Sequence, residues 1–180
     1  AVVVGSITAG LGFLYGKVLD FALHSVWKTL PARLGATRLN PSIYIPAIMT
    51  SGALLLGILS VMMPPAFTVA DFVTAFSKEP NLDIPGLPKT LLPLLLLSLI
   101  TSTCGFSLGP EAPMVCSGAL VGAALAKEWN LSVPALAYAG AAGSLTSFMG
   151  IPIAGSIFAL EMTRRTVAFP GQYIGPAVAA

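Results

Sequence analysis

Gly109-Pro110-Glu111-Ala112-Pro113 interrupts an apolar run that reaches from Thr90 to Ala126, and Glu111 is the single carboxylate in that run. An ionised carboxylate at bilayer depth costs roughly 2.5 to 3.5 kcal/mol on insertion scales, so such a residue is expected to face a cavity or a pathway. Uninterrupted, the run would make one helix far longer than the roughly 20 residues that cross a hydrocarbon core of about 30 Å. Two prolines and a glycine break it. Two shorter helices are therefore expected to meet near Glu111.

The rest of the chain agrees with a bilayer setting. Hydrophobic residues make up 56% of the 180 residues and charged residues 9%, with a mean hydropathy of +0.88, against about 25% charged residues in an ordinary soluble domain. Apolar segments recur at about 1–23, 42–63, 90–108, 113–126, 133–148 and 151–163. That recurrence predicts an all-α, polytopic, integral membrane protein rather than a single anchor or a signal peptide. A net charge of +2 with no basic run beyond Arg164-Arg165 argues against nucleic acid as a partner. Cys104 and Cys116 lack metal-ligand spacing and read as small buried hydrophobes, and no cofactor or metal is called for. The start at Ala1 and the apolar end from Ile174 to Ala180 read as a fragment of a longer domain.

Along the chain, Gly5, Gly10, Gly12 and Gly16 offer close approach to a neighbouring helix, and Lys17 and Asp20 are expected at that helix's wet end. His24, Lys28, Arg33 and Arg38 then read as a basic first loop, which the positive-inside tendency places on the cytoplasmic side. Asn40-Pro41 opens a second span that Pro64-Pro65 stops. Residues 66–89 are more polar, and read as a re-entrant or surface connection with room for an amphipathic turn around Phe72 to Phe76. After the break at 109–113, Gly118 and Gly122 form a small-xxx-small pair. Ser132-Val133-Pro134 reads as a helix start, with Ser as N-cap and Pro in the first turn. Gly150-Ile151-Pro152 breaks the chain again, ahead of a segment carrying a second isolated carboxylate, Glu161.

A helix beginning at Pro113 would leave N–H groups unpaired in its first turn and place roughly half a positive charge there. Non-helical backbone within a membrane is tolerated where it is buried in protein or lines a water-filled space. The electropositive end that attracts an inorganic anion also attracts the Glu111 carboxylate. Ionised Glu111 would occupy the place as a tethered anion, and protonated Glu111 would vacate it. The same residue could instead cap the helix and never move, or pair with a segment outside this chain.

These residues resemble a known family. Gly105-Phe106-Ser107-Leu108-Gly109-Pro110-Glu111-Ala112-Pro113-Met114-Val115, followed by Gly118 and Gly122, looks like the G-[KR]-E-G-P region of the CLC chloride channels and chloride/proton exchangers. Ala141-Ala142-Gly143, Phe148, Gly150-Ile151-Pro152-Ile153-Ala154-Gly155 and Phe158-Ala159-Leu160-Glu161 look like that family's second conserved stretch. Both blocks stand in order, with about fifty residues between Glu111 and Glu161. The resemblance implies the first of two inverted repeats in one ion-transport domain, a homodimer, and chloride or another small inorganic anion as cargo. It makes Glu111 the gating residue and the backbone of Gly109, Pro110, Glu111, Ala112 and Pro113 the anion-binding helix start. It also points to Glu161 for a proton path. Pro110 stands where the family carries Lys or Arg, Ala112 where it carries Gly, and Pro64-Pro65-Ala66-Phe67-Thr68 is the nearest counterpart of its serine-bearing block.

In the exchangers a second glutamate follows the position that Glu161 matches. Here that residue is Met162, whose thioether carries no proton. The leading expectation is a voltage-gated-type chloride channel. A chloride or nitrate/proton antiporter and a non-conducting membrane subunit are the alternatives. An intramembrane enzyme is disfavoured, because His24 is the only histidine and the apolar segments hold no aspartate pair.

Overall fold

Small residues repeated at helical spacing let helix backbones touch, and the architecture follows from where those residues lie. The computed structural model describes residues 1–33, 41–63, 68–71 and 87–164, and among them every regular element is helical. Helix α1 runs Val2–His24 and continues through a π-helical turn, Ser25–Thr29, into a last turn, Leu30–Arg33. Helix α2 is Pro41–Met62, α3 Leu87–Thr103, α4 Glu111–Glu128, α5 Val133–Met149 and α6 Pro152–Arg164. Val2–Arg33 and Pro41–Met62 are long and apolar enough to cross a membrane, with mean hydropathies of 1.6 and 2.0 over their 18-residue apolar windows.

Helix α5 is the centre, because α4, α1 and α6 all pack on it. Its contact with α4 is made through glycine: a side chain at Gly118 would run into the Gly140 carbonyl, one at Gly140 into the Gly118 carbonyl, and one at Gly122 into the Leu136 carbonyl. The contact with α1 works the same way, through Gly12 against the Ser144 carbonyl and Gly143 against Gly5 and Thr8. Between them lie Ala119, Ala123, Ala137 and Ala141, all fully buried. With no hydrophobic drive between helices in lipid, close dispersion contact must hold such a seam. Tyr138, Met114, Leu120 and Leu145 supply its largest fully buried side chains.

Several expected boundaries shift. The apolar segment at 90–108 forms helix only to Thr103, and residues 104–110 are non-helical. The next helix starts at Glu111 and not at Pro113. A proline in the first turn forfeits an N–H that has no intrahelical acceptor there, so Pro113 does not delay the start. The basic stretch His24 to Arg33 is helix rather than loop, carried on by the π-turn, and Lys17 and Asp20 are exposed side chains within the helix rather than its end. Gly10 faces away from the seam that Gly5 and Gly12 serve. Cys104 is half-buried whereas Cys116 is buried. Ser132 occupies the N-cap position of α5, with Pro134 in the first turn, though its hydroxyl makes no capping bond. Gly150, at φ +69°, ends α5 in the left-handed conformation that glycine tolerates. Residues 34–40, 64–67, 72–86 and 165–180 lie outside the described residues. The expectations placed on Arg38, Pro64-Pro65-Ala66-Phe67, most of the polar connection at 66–89 with Phe72 to Phe76, Arg165 and Ile174 to Ala180 fall there, as do the side chains of Met162 and Arg164.

Candidate functional site

The break between α3 and α4 is held at both ends. At the α3 end, Trp27 of the π-turn donates its indole N–H to the Thr103 carbonyl at 2.8 Å. Gly105 then turns the chain at φ +82°, with the Trp27 ring 3.1 Å from where a Cβ would stand. Tyr44 of α2 sets its ring edge-on to Trp27 and donates its hydroxyl proton to the Val26 carbonyl. At the α4 end, Pro110 is buried at the cap position and its carbonyl accepts from the Met114 N–H at 2.9 Å, the first bond of the helix. The N–H groups of Glu111 and Ala112 have no carbonyl four residues back inside the helix. They stand at the positive end of an 18-residue helix whose rear is locked into the glycine seam.

Glu111 is exposed, and its side chain folds back so that the carboxyl lies over Gly109. A Cβ on Gly109 would stand 2.9 Å from Oε1 and 2.6 Å from Cδ. The carboxylate thus sits beside the residues that open its own helix. Next to it is a cavity of about 280 Å³. Leu94, Leu97 and Leu108 form its apolar walls, Gly109, Ala112 and Pro113 its helix-start side, and Ser98 and Thr101 its hydroxyls. Ser98 is 8% exposed. Behind it, the buried Tyr15 of α1 shares a 2.8 Å hydrogen bond with the Ser98 hydroxyl, and its ring meets Phe148 edge-on at 6.0 Å. The Glu111 charge is close enough to act on the Tyr15 hydroxyl. Ser102 also lies near that hydroxyl, but its own buried oxygen makes no hydrogen bond.

The structure therefore brings Gly109, Pro110, Glu111, Ala112 and Pro113 together at one helix start. Glu161 is exposed on α6 and lines no part of this cavity. Tyr15 and Ser98 were not among the expected site residues. A lone hydroxyl in the leucine run of 91–100 was the available signal for Ser98. Tyr15 carried none, because its partner lies in a helix far along the chain. No group of three His, Cys, Asp or Glu side chains that could hold a metal comes together among the described residues.

The family model described as "Voltage gated chloride channel" matches residues 78–180, which include the break, Glu111 and Glu161. The chain is also 25% identical over 159 residues to a Salmonella schwarzengrund protein named "Putative ion-transport protein YfeO". That similarity takes in 87% of this chain and 37% of the relative, so the chain spans little more than a third of the relative's length.

Proposed function

This chain belongs to the voltage-gated chloride channel family, and we propose that it is the first-repeat part of a multi-pass domain that passes chloride or another small anion across a membrane. Membership supports reading it as part of an integral membrane transport protein over reading it as an enzyme. In our reading the gate is Glu111. The observation that carries it is the carboxylate lying over Gly109 at the start of α4, where unpaired N–H groups and the helix dipole favour negative charge. An ionised Glu111 holds that place against a diffusing anion. Protonation removes the competing charge and releases the place. In the same reading a second, inverted repeat and a second copy of the subunit would complete the pathway and the homodimer.

Passive flow follows from Met162, which stands in the sequence where a proton-carrying glutamate would be needed. The alternative, an anion/proton exchanger, draws on Glu161, an exposed carboxylate one residue earlier on α6. The full-length protein in liposomes separates these readings. Our account expects chloride efflux with a reversal potential that follows the anion gradient alone. A reversal potential that moves when only the pH gradient changes assigns an exchanger, and no efflux at all assigns a non-conducting subunit.

A further inference from the structure

We propose that the cavity between α3 and the start of α4 is the seat that the Glu111 side chain takes when its carboxyl is protonated, with Ser98, held by Tyr15, positioning it there. This rests on the reading of Glu111 as the gate and adds where the open gate goes. The carboxyl begins over Gly109, and Gly109 is itself part of the cavity's lining. In this proposal the exposed Glu111 side chain rotates from the helix start toward the cavity that Gly109 lines.

The hydrogen-bonding inventory of the cavity suits a neutral acid better than an anion. When Tyr15 donates in the hydrogen bond it shares with Ser98, the Ser98 hydroxyl proton stays uncommitted at the cavity wall. Thr101 donates its proton to the Leu97 carbonyl at 2.6 Å, which leaves its oxygen as an acceptor only. A carboxylic acid has one proton to give and a carbonyl oxygen to offer, and it finds a partner for each. A carboxylate would meet one spare hydroxyl proton among Leu94, Leu97 and Leu108, and would lose its hydration there. The seat therefore selects the protonated form.

Other ionisable groups on the surrounding elements are few. Helix α1 and its continuation bring Tyr15, with Lys17, Asp20, His24, Lys28 and Arg33 exposed; α2 brings Tyr44; the segment 68–71 brings the exposed Asp71; α3 brings the exposed Lys89. The loop carries Cys104, α4 carries Cys116 in the seam and Lys127 and Glu128 at its far end, α5 carries Tyr138 and α6 Glu161. Of these, only Tyr15 hydrogen-bonds to a residue lining the cavity.

The test is conductance against external pH in the full-length protein, at equal surface abundance. Ser98→Ala should move half-activation to more acidic pH by roughly half to one unit, a three- to tenfold loss of proton affinity at the gate. Tyr15→Phe should move it in the same direction by less, because Ser98 remains. Ser98→Thr, which keeps the hydroxyl, should restore the parent value, and Ser144→Ala, a buried hydroxyl away from the cavity, should leave it unchanged. Ala112→Leu fills the cavity from its exposed side and provides an independent test with the same expected shift. An unmoved half-activation pH in Ser98→Ala and Ala112→Leu overturns the seat, and if Glu111→Gln still removes the pH response the gate reading survives that failure. A pH response that persists in Glu111→Gln removes the gate and the seat together.

Discussion

Gly118 and Gly109 are both glycines that cannot accept a side chain as the molecule stands, and they differ in what blocks them. At Gly118 the obstacle is the backbone of Gly140 across the α4–α5 seam. At Gly109 it is the end of the Glu111 side chain. One region is packed backbone to backbone, with no direction in which to yield. The other is closed by a group that can rotate away. The proposed gate needs a fixed helix start with a movable acid above it: in that reading the seam would supply the first and the break the second.

Substitutions test that contrast most severely at the seam. Gly118→Val or Gly140→Val should cost at least about 3 kcal/mol, since backbone cannot repack around a branched side chain. The readout is loss of the monodisperse, cooperatively melting species in detergent. Survival of either variant with a parental melting temperature would break the comparison. Next in size is Gly105→Ala. The left-handed backbone costs a non-glycine residue roughly 1–2 kcal/mol, and the added methyl presses on Trp27, so a lower melting temperature with the fold retained is expected.

At Gly109 the outcome should invert. Gly109→Ala should change stability by less than about 0.5 kcal/mol, because the obstructing carboxyl can move aside, while weakening the dependence of transport on external pH. A melting temperature that falls as far as in Gly118→Val would show the break to be as rigid as the seam. The smallest effect belongs to the start of the turn at 68–71. There Thr68 donates its N–H and its hydroxyl to Asp71 Oδ2 at 2.9 and 2.6 Å, and receives the Asp71 N–H at 3.1 Å. These bonds hold the Asp71 carboxyl below its ordinary value, the Thr68 hydroxyl first among them. A lowered folded-state value means that their contribution is present above the unfolded value of about 3.9 and is lost as pH falls through the folded one. Thr68→Ala should speed hydrogen exchange at the Asp71 N–H at pH 7, and the parent should lose its protection relative to the variant as the carboxyl protonates.

How much of this was legible in the sequence depended on whether the cause was local. Gly118 and Gly122, Pro134 and Gly150 act within a turn of where they stand, and the seam, the start of α5 and its end lie where those residues pointed. The start of α4 was misplaced by two residues because a proline is harmless in the one turn where its missing N–H has no use. The continuation of α1 through His24 to Arg33 was hidden behind its charges, since a long helix can carry Lys28 and Arg33 as exposed side chains beyond the apolar part. Tyr15 and Ser98 could not be paired from sequence at all. Their hydrogen bond joins residues 83 apart in the chain, and only the packing of α1 on α5 and α3 brings them together.

The central claim is that one charge, on Glu111, decides whether the helix start is open to an anion. The most direct measurement is conductance against external pH in the full-length protein, for the parent and for Glu111→Gln at equal surface abundance. Glutamine keeps the shape and loses the charge, so it stands permanently in the protonated form. The account predicts a variant that conducts at every pH where the parent closes, with a flat pH profile. Equal pH responses in the two proteins would contradict it, and would return Glu111 to the role of a fixed helix cap.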